Sequence, residues 1–178
     1  MSSWGATAQR LRVPAGTVLG IVFLLLMHPS FRSLWLGGTI AMLGSLVRIW
    51  AAGHLEKGRA LARSGPYAFT RNPLYFGSFL MALGILLAGQ VYWLLLPFVA
   101  FFAAFYLPVM RREEQELLQG YGDIFLEYAG RVPLFFPAFR VSPRSRSAFS
   151  WSRVIANREH RAVAGLALTL AFLAWRSL

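Results

Sequence analysis

Asn72-Pro73-Leu74-Tyr75-Phe76-Gly77-Ser78 opens, and Tyr106-Leu107-Pro108-Val109-Met110 closes, a run of thirty-nine residues without one charged side chain. A helix needs about 20 apolar residues to cross the hydrocarbon of a bilayer, so this run is long enough for two crossings. Gly89-Gln90 near its middle marks a turn, which predicts helices over 73–89 and 91–110 joined as an αα-hairpin. The small residues Gly77, Ser78, Ala82 and Gly84 would let these two helices approach closely.

Working outward, Val13 to Phe31 is a further stretch of nineteen uncharged residues, between Arg12 and Arg32. Met27-His28-Pro29-Ser30 offers no small-x-small cleavage site, so the stretch reads as a retained span. Ser33 to Gly53 makes a second span, interrupted by Arg48. That arginine lies near the inner end, where its stem can snorkel to the interface; a charge in a span also commonly faces a cavity or a partner. Ala162 to Trp175 adds fourteen apolar residues, enough for a fifth span if Arg161 and Arg176 snorkel at its ends. The fold class predicted is therefore all-α: a polytopic membrane protein of about five transmembrane helices.

Composition agrees with that reading. The chain of 178 residues is 57% hydrophobic and 14% charged, where soluble domains carry about a quarter charged residues. The absence of cysteine removes disulfides, thiolate metal sites and thiol nucleophiles, and three scattered histidines argue against a metal centre. The net charge of +11 is explained without nucleic acid by placing the N-terminus in the cytoplasm. Arg10, Arg12, the 54–71 loop and the nine arginines of 111–161 then lie inside, as do all seven acids, leaving Arg32 and Arg176 outside. The expected location is a cytoplasmic (inner) membrane, with any active site opening to the cytoplasm.

Two inner stretches carry more than a connection. In the 54–72 loop a Ser-Gly-Pro turn precedes Asn72-Pro73, where proline pushes its predecessor out of the helical region and itself suits a first helical turn. From Arg111 to Tyr128, Leu117, Leu118, Tyr121, Phe125 and Tyr128 recur at helical steps, predicting an amphipathic helix broken near Gly120-Tyr121-Gly122 and ended by Gly130. Residues 138–160 alternate arginine and serine around Phe149 and Trp151, which reads as a basic interfacial segment held by anionic headgroups.

Ser64-Gly65-Pro66-Tyr67-Ala68-Phe69-Thr70-Arg71-Asn72-Pro73-Leu74-Tyr75-Phe76-Gly77, then the apolar hairpin, then Arg112-Glu113-Glu114, Tyr121-Gly122 and Glu127-Tyr128-Ala129-Gly130-Arg131-Val132-Pro133 form an ordered set. The set resembles the integral-membrane methyltransferases typified by isoprenylcysteine carboxyl methyltransferase and the related phospholipid methyltransferases. It covers about residues 44–137, within a core of 1–137, and leaves 138–178 as a basic segment plus final helix. The resemblance implies a helical enzyme that binds S-adenosylmethionine at its cytoplasmic side without a Rossmann sheet. It assigns cofactor binding to Leu61, Tyr67, Arg71, Asn72, Pro73, Leu74, Tyr75, Gly77, Glu113 and Glu114. Two positions depart from the pattern. Asn72 stands where the family commonly has histidine, and an amide cannot titrate near neutrality. Val109 stands where the isoprenylcysteine enzymes place a substrate-binding arginine, with Arg111 and Arg112 nearby.

The chemistry asks for acceptors to hold a ribose diol, which Glu113 and Glu114 supply; the same acids would also complement a helix N-terminus or pair with Arg111 or Arg112. Tyr67 and Tyr75 offer ring faces to adenine or to a sulfonium, and would equally suit interfacial anchors. Arg71 fits a cofactor carboxylate or a positive-inside flank, and Gly77 fits close helix packing and space for a cofactor. No residue is assigned as catalytic; His54, Arg48 and Arg112 are candidates, His54 with no orienting partner visible in the sequence. The expected partners are the lipid bilayer and a lipophilic acceptor: a phospholipid amine, an isoprenoid or other lipid carboxylate, or a small hydrophobic thiol or amine. The rival readings are an NADPH-dependent sterol-type reductase, disfavoured by Leu74 and Ser78, and a non-catalytic membrane scaffold.

Overall fold

A computed structural model describes residues 3–56, 58, 60–138 and 148–178, and among them all regular structure is helical. In chain order the helices are α1 (Ser3–Leu26), α2 (Phe31–His54), α3 (Pro73–Ala88), α4 (Leu95–Tyr121), α5 (Asp123–Ala129), α6 (Trp151–Ala156) and α7 (Glu159–Arg176). Phe31–His54 and Tyr92–Tyr121 are long and apolar enough to cross a membrane, while Val13–Leu26 and Pro73–Ala88 are shorter apolar helices.

The first boundary falls earlier than the apolar pattern suggests: α1 stops at Leu26, and Phe31 begins the next helix. The reason is local. Pro29 disfavours helix at His28, and Ser30 caps α2 in a reciprocal pair with Ser33. Here the turn end of the bundle is tied together, with the His28 N–H donating to Gly89 O (2.9 Å) and Ser33 Oγ to Ala88 O (2.9 Å).

The small residues of α3 serve a different neighbour from the one expected. A Cβ on Gly84 would lie 2.4 Å from Ala41 N, one on Gly77 2.6 Å from Gly44 O, and one on Gly37 2.3 Å from Ala88 N. Glycines thus face one another across α2 and α3, backbone against backbone, and the 73–110 hairpin is not the close pair. Aromatic rings fill the space between α3 and α4. Phe79 stacks on Phe98 (5.3 Å) and meets Phe102 edge-on (5.0 Å), while Phe102 stacks on Tyr106 (4.4 Å). Such rings hold helices farther apart than glycines do.

A second correction concerns α4. The span expected to end at 110 continues without a break to Tyr121, so the separate helix expected from Arg111 is its extension. The anticipated interruption is real: Gly122 adopts φ 54°, α5 follows, and Gly130 ends it. The chain then returns to the loop end of the bundle and inserts Phe135 beside Phe76, Phe79 and Phe102.

Candidate active site

Residues 64–72 cross the loop end between α2 and α3, and the returning chain holds them on one side. Arg71 N–H donates to Pro133 O (2.9 Å), Ala138 N–H to Phe69 O (2.9 Å) and Thr70 Oγ1 to Phe135 O (2.8 Å). Asn72 joins this set, donating through Nδ2 to Leu134 O (3.0 Å). Its amide therefore anchors the crossing, and its carbonyl oxygen keeps acceptor capacity. Tyr128 adds another tie by donating its hydroxyl to Tyr67 O (2.7 Å). Burial pushes the Tyr67 and Tyr128 phenols well above their ordinary range, so both remain protonated across all working pH values.

Pro73 starts α3 at its first turn, as its fixed φ favours, and the helix presents Tyr75 toward α4. Tyr75 Oη donates to Glu113 Oε1 (2.6 Å), and Arg71 Nη1 lies 2.7 Å from Glu114 Oε1. Two consecutive acids of α4 thus meet two residues of the Arg-Asn-Pro-Leu-Tyr motif. Because α4 begins at Leu95, Glu113 and Glu114 are far from its N-terminus, which removes the helix-dipole explanation of these acids. The Arg71–Glu114 contact is close in distance but off the hydrogen-bond axis, and Arg71 Nε is buried without an acceptor. Glu113 is exposed, and one carboxylate can accept more than the single Tyr75 bond.

The remaining candidates separate. Gly77 packs against the Arg48 stem and Gly44, so the missing side chain makes room for Arg48. Leu61 joins the small apolar cluster of Phe125, Tyr128 and Val132. Leu74 contributes its carbonyl, which accepts from Arg48 Nη1 (3.3 Å) and from Ser78 Oγ (2.9 Å). Arg112 pairs with Glu116 (3.2 Å) on an exposed face of α4.

His54 is the last residue of α2, not a loop residue. Its ring is oriented by Ser64, with Nδ1 2.9 Å from the Ser64 hydroxyl, and it meets Phe149 edge-on (6.0 Å). Arg48 does not snorkel. It pairs with Glu159, Nε to Oε2 at 2.9 Å and Nη2 to Oε1 at 2.7 Å. Arg153 in the expected interfacial segment is likewise engaged inside the protein, donating to Gly53 O, Ala148 O and Glu56. Arg140, Arg144 and Arg146 of that segment lie outside the described residues.

Glu159 is the residue that the sequence reading passes over, counting it only among the inner acids beside the basic segment 138–160. A signal existed: an arginine inside a span calls for a counter-charge, and Glu159 is the only acid after Glu127.

Arg71, Tyr75, Glu113 and Glu114 are thus gathered at one end of a helical bundle. The phospholipid methyltransferase family matches residues 33–124, which is more than half of the chain, and the chain belongs to that family. The cobalt-zinc-cadmium resistance protein CzcN of Cupriavidus metallidurans is 32% identical over 123 residues, covering 64% of this chain and 56% of that protein. The nickel-cobalt-cadmium resistance protein NccN of Alcaligenes xylosoxydans xylosoxydans is 29% identical over 143 residues, covering 74% and 66%. The chain therefore spans between half and two thirds of these relatives. The Delta(14)-sterol reductase TM7SF2 of Mus musculus is 39% identical over 77 residues, 43% of this chain and 18% of the reductase. No solved structure matches at a significant level.

Proposed function

We propose that the protein transfers a methyl group from S-adenosylmethionine to a lipophilic acceptor at the cytoplasmic face of the membrane. The observation that carries this reading is the meeting of Arg71 and Tyr75 with Glu114 and Glu113. The donor set fits the cofactor. Exposed Glu113 accepts from a ribose diol, the Arg71 guanidinium suits a carboxylate, and Tyr75 brings an aromatic face to the same end. Held there by Glu113, Arg71 and Tyr75, the cofactor would supply an electrophilic methyl to the acceptor's nucleophile. The protein's part is to hold the two partners in line, which contributes most of the rate. A carboxylate acceptor arrives ionised, whereas an amine must lose a proton. His54, oriented by Ser64, is the imidazole available near the crossing.

An apolar cavity of about 220 Å³ between α1, α3 and α4 supports entry of the acceptor from the bilayer. Gly16, Gly20, Phe98 and Phe101 line it, and Ser78 and Tyr106 lie on its wall toward the loop end. Tyr106 touches Tyr75 edge-on (5.7 Å), so the cavity and the motif are neighbours. A dry cavity of about 150 Å³ already takes benzene, which makes a single chain or ring a suitable guest. We further read five crossings with the N-terminus in the cytoplasm, a core of residues 1–137, and a basic interfacial segment plus a final transmembrane helix over 138–178.

Equilibrium binding to detergent-solubilised protein tests the reading. S-adenosylmethionine should bind, and Glu113→Gln should weaken it by roughly 1–3 kcal/mol, the range for losing a hydrogen bond to a charged group. Glu116→Gln, which touches Arg112 only on an exposed face, is the control. Equal effects at both positions would remove the ribose assignment. The likeness to a sterol reductase favours a second reading, in which NADPH binds instead, and the same titration separates the two.

A further inference from the structure

Arg48 and Glu159 are 111 residues apart in the chain, and the segment that the family matches, residues 33–124, includes only the arginine. Glu159 opens α7 with its side chain 5% exposed, and both of its oxygens accept from Arg48. A paired, two-point contact of this kind fixes the plane of the guanidinium as well as its position. The third nitrogen, Nη1, then donates to the Ser78 hydroxyl and to Leu74 O (3.3 Å). Ser78 in turn donates to Leu74 O (2.9 Å). Leu74 and Ser78 flank Tyr75, the residue that meets Glu113. The Arg48 stem reaches them only because position 77 lacks a side chain, since a Cβ there would lie 2.6 Å from Arg48 Cγ.

The geometry points to Glu159 as a positioning residue for the active site: through Arg48 and Ser78 it sets the first turns of α3 and thereby the placement of Tyr75 against Glu113. The inference rests on the proposed function for its catalytic meaning, and on the contacts alone for its structural meaning. Other contacts of the same segment offer the contrast that a test needs. Asn157 donates to Ala52 O (3.0 Å) and Leu55 O (3.1 Å), closing the C-terminal end of α2. It holds the C-terminal segment to α2 without touching Arg48 or α3 by any of these bonds.

The experiment compares Glu159→Gln, Glu159→Asp, Ser78→Ala and Asn157→Ala in the full chain, using S-adenosylmethionine affinity and the ¹⁹F resonance of Tyr75 in fluorotyrosine-labelled protein. The Tyr75 signal is assigned by its loss in Tyr75→Phe. Glu159→Gln and Ser78→Ala should both shift the Tyr75 resonance and weaken S-adenosylmethionine about tenfold. Asn157→Ala should leave the resonance in place and the affinity within twofold. Glu159→Asp, which keeps the charge and shortens the reach, should fall between wild type and Glu159→Gln. If Glu159→Gln does not fold, Ser78→Ala decides, because it removes the shorter of the two Arg48 bonds to α3 and leaves the ion pair intact. An unmoved Tyr75 resonance in Ser78→Ala, or equal effects of Asn157→Ala and Glu159→Gln, would overturn the inference. Wild-type protein that binds NADPH and not S-adenosylmethionine would overturn the proposed function instead, leaving the Tyr75 resonance to judge the positioning role.

Discussion

The α2–α3 contact and the α1–α4 side of the bundle are built from opposite materials. Across α2 and α3, glycines at 37, 44, 77 and 84 bring backbones together with no room for even a methyl group. Along α1, Gly16 meets only the tip of Phe101, and Gly20 faces open space where the apolar cavity lies. Glycine therefore has two uses in one molecule. In the first it locks the helix that carries the motif, and in the second it leaves volume for a guest. The locked pair also carries Arg48 and Tyr75, so rigidity sits where the proposed methyl transfer asks for fixed geometry.

Substitution can break this contrast. Gly84→Ala places its methyl 2.4 Å from Ala41 N and 2.5 Å from Gly37 O, where only backbone could give way. It should destabilise the protein by about 2–3 kcal/mol, the upper part of the usual range for overpacking, measured by thermal unfolding in detergent. Stability close to wild type would show that α2 and α3 are less tightly locked than their glycines imply.

A smaller effect is expected at the loop end, which is held by hydrogen bonds and not by shape. Tyr128→Phe removes the donor to Tyr67 O and should cost about 1 kcal/mol near neutral pH. The pH dependence sharpens the point. Burial raises both phenols in the folded state, so the stability they contribute is fully present below the unfolded tyrosine value of about 10 and is lost as pH rises beyond it. The wild-type advantage over Tyr128→Phe should therefore shrink above about pH 10; a constant difference would contradict the burial of this hydroxyl.

Gly20→Ala is the mildest change and has the opposite sign. With nothing within 4 Å of its Cβ, the variant should gain up to about 1 kcal/mol from helix propensity. A loss of stability would mean that α1 packs more closely at this position than the cavity implies.

Several features were legible from single-residue chemistry. Pro73 at a helix start, the turn at Gly89-Gln90, the break at Gly122 and the stop at Gly130 all follow from local backbone preferences, and all are present. Glu113 and Tyr75 were named through the motif, and they meet. What failed were assignments that needed a partner. The small residues of α3 announced a close neighbour, but the helix assigned to them, the other arm of the hairpin, was the wrong one: they meet α2. His54 had no visible orienting group, because Ser64 reaches it only after the chain turns.

By itself, the sequence determined the helical class, the apolar lengths and the identity of the motif residues, because periodicity, charge and turn chemistry act over a few residues. The tertiary structure decided which faces pair and which charges meet. Arg48 could satisfy its guanidinium with lipid headgroups, water or an acid, and only the return of the chain at Glu159 selects the acid. A buried charge takes whichever partner the fold brings within hydrogen-bond distance, and that choice is not written in its neighbours.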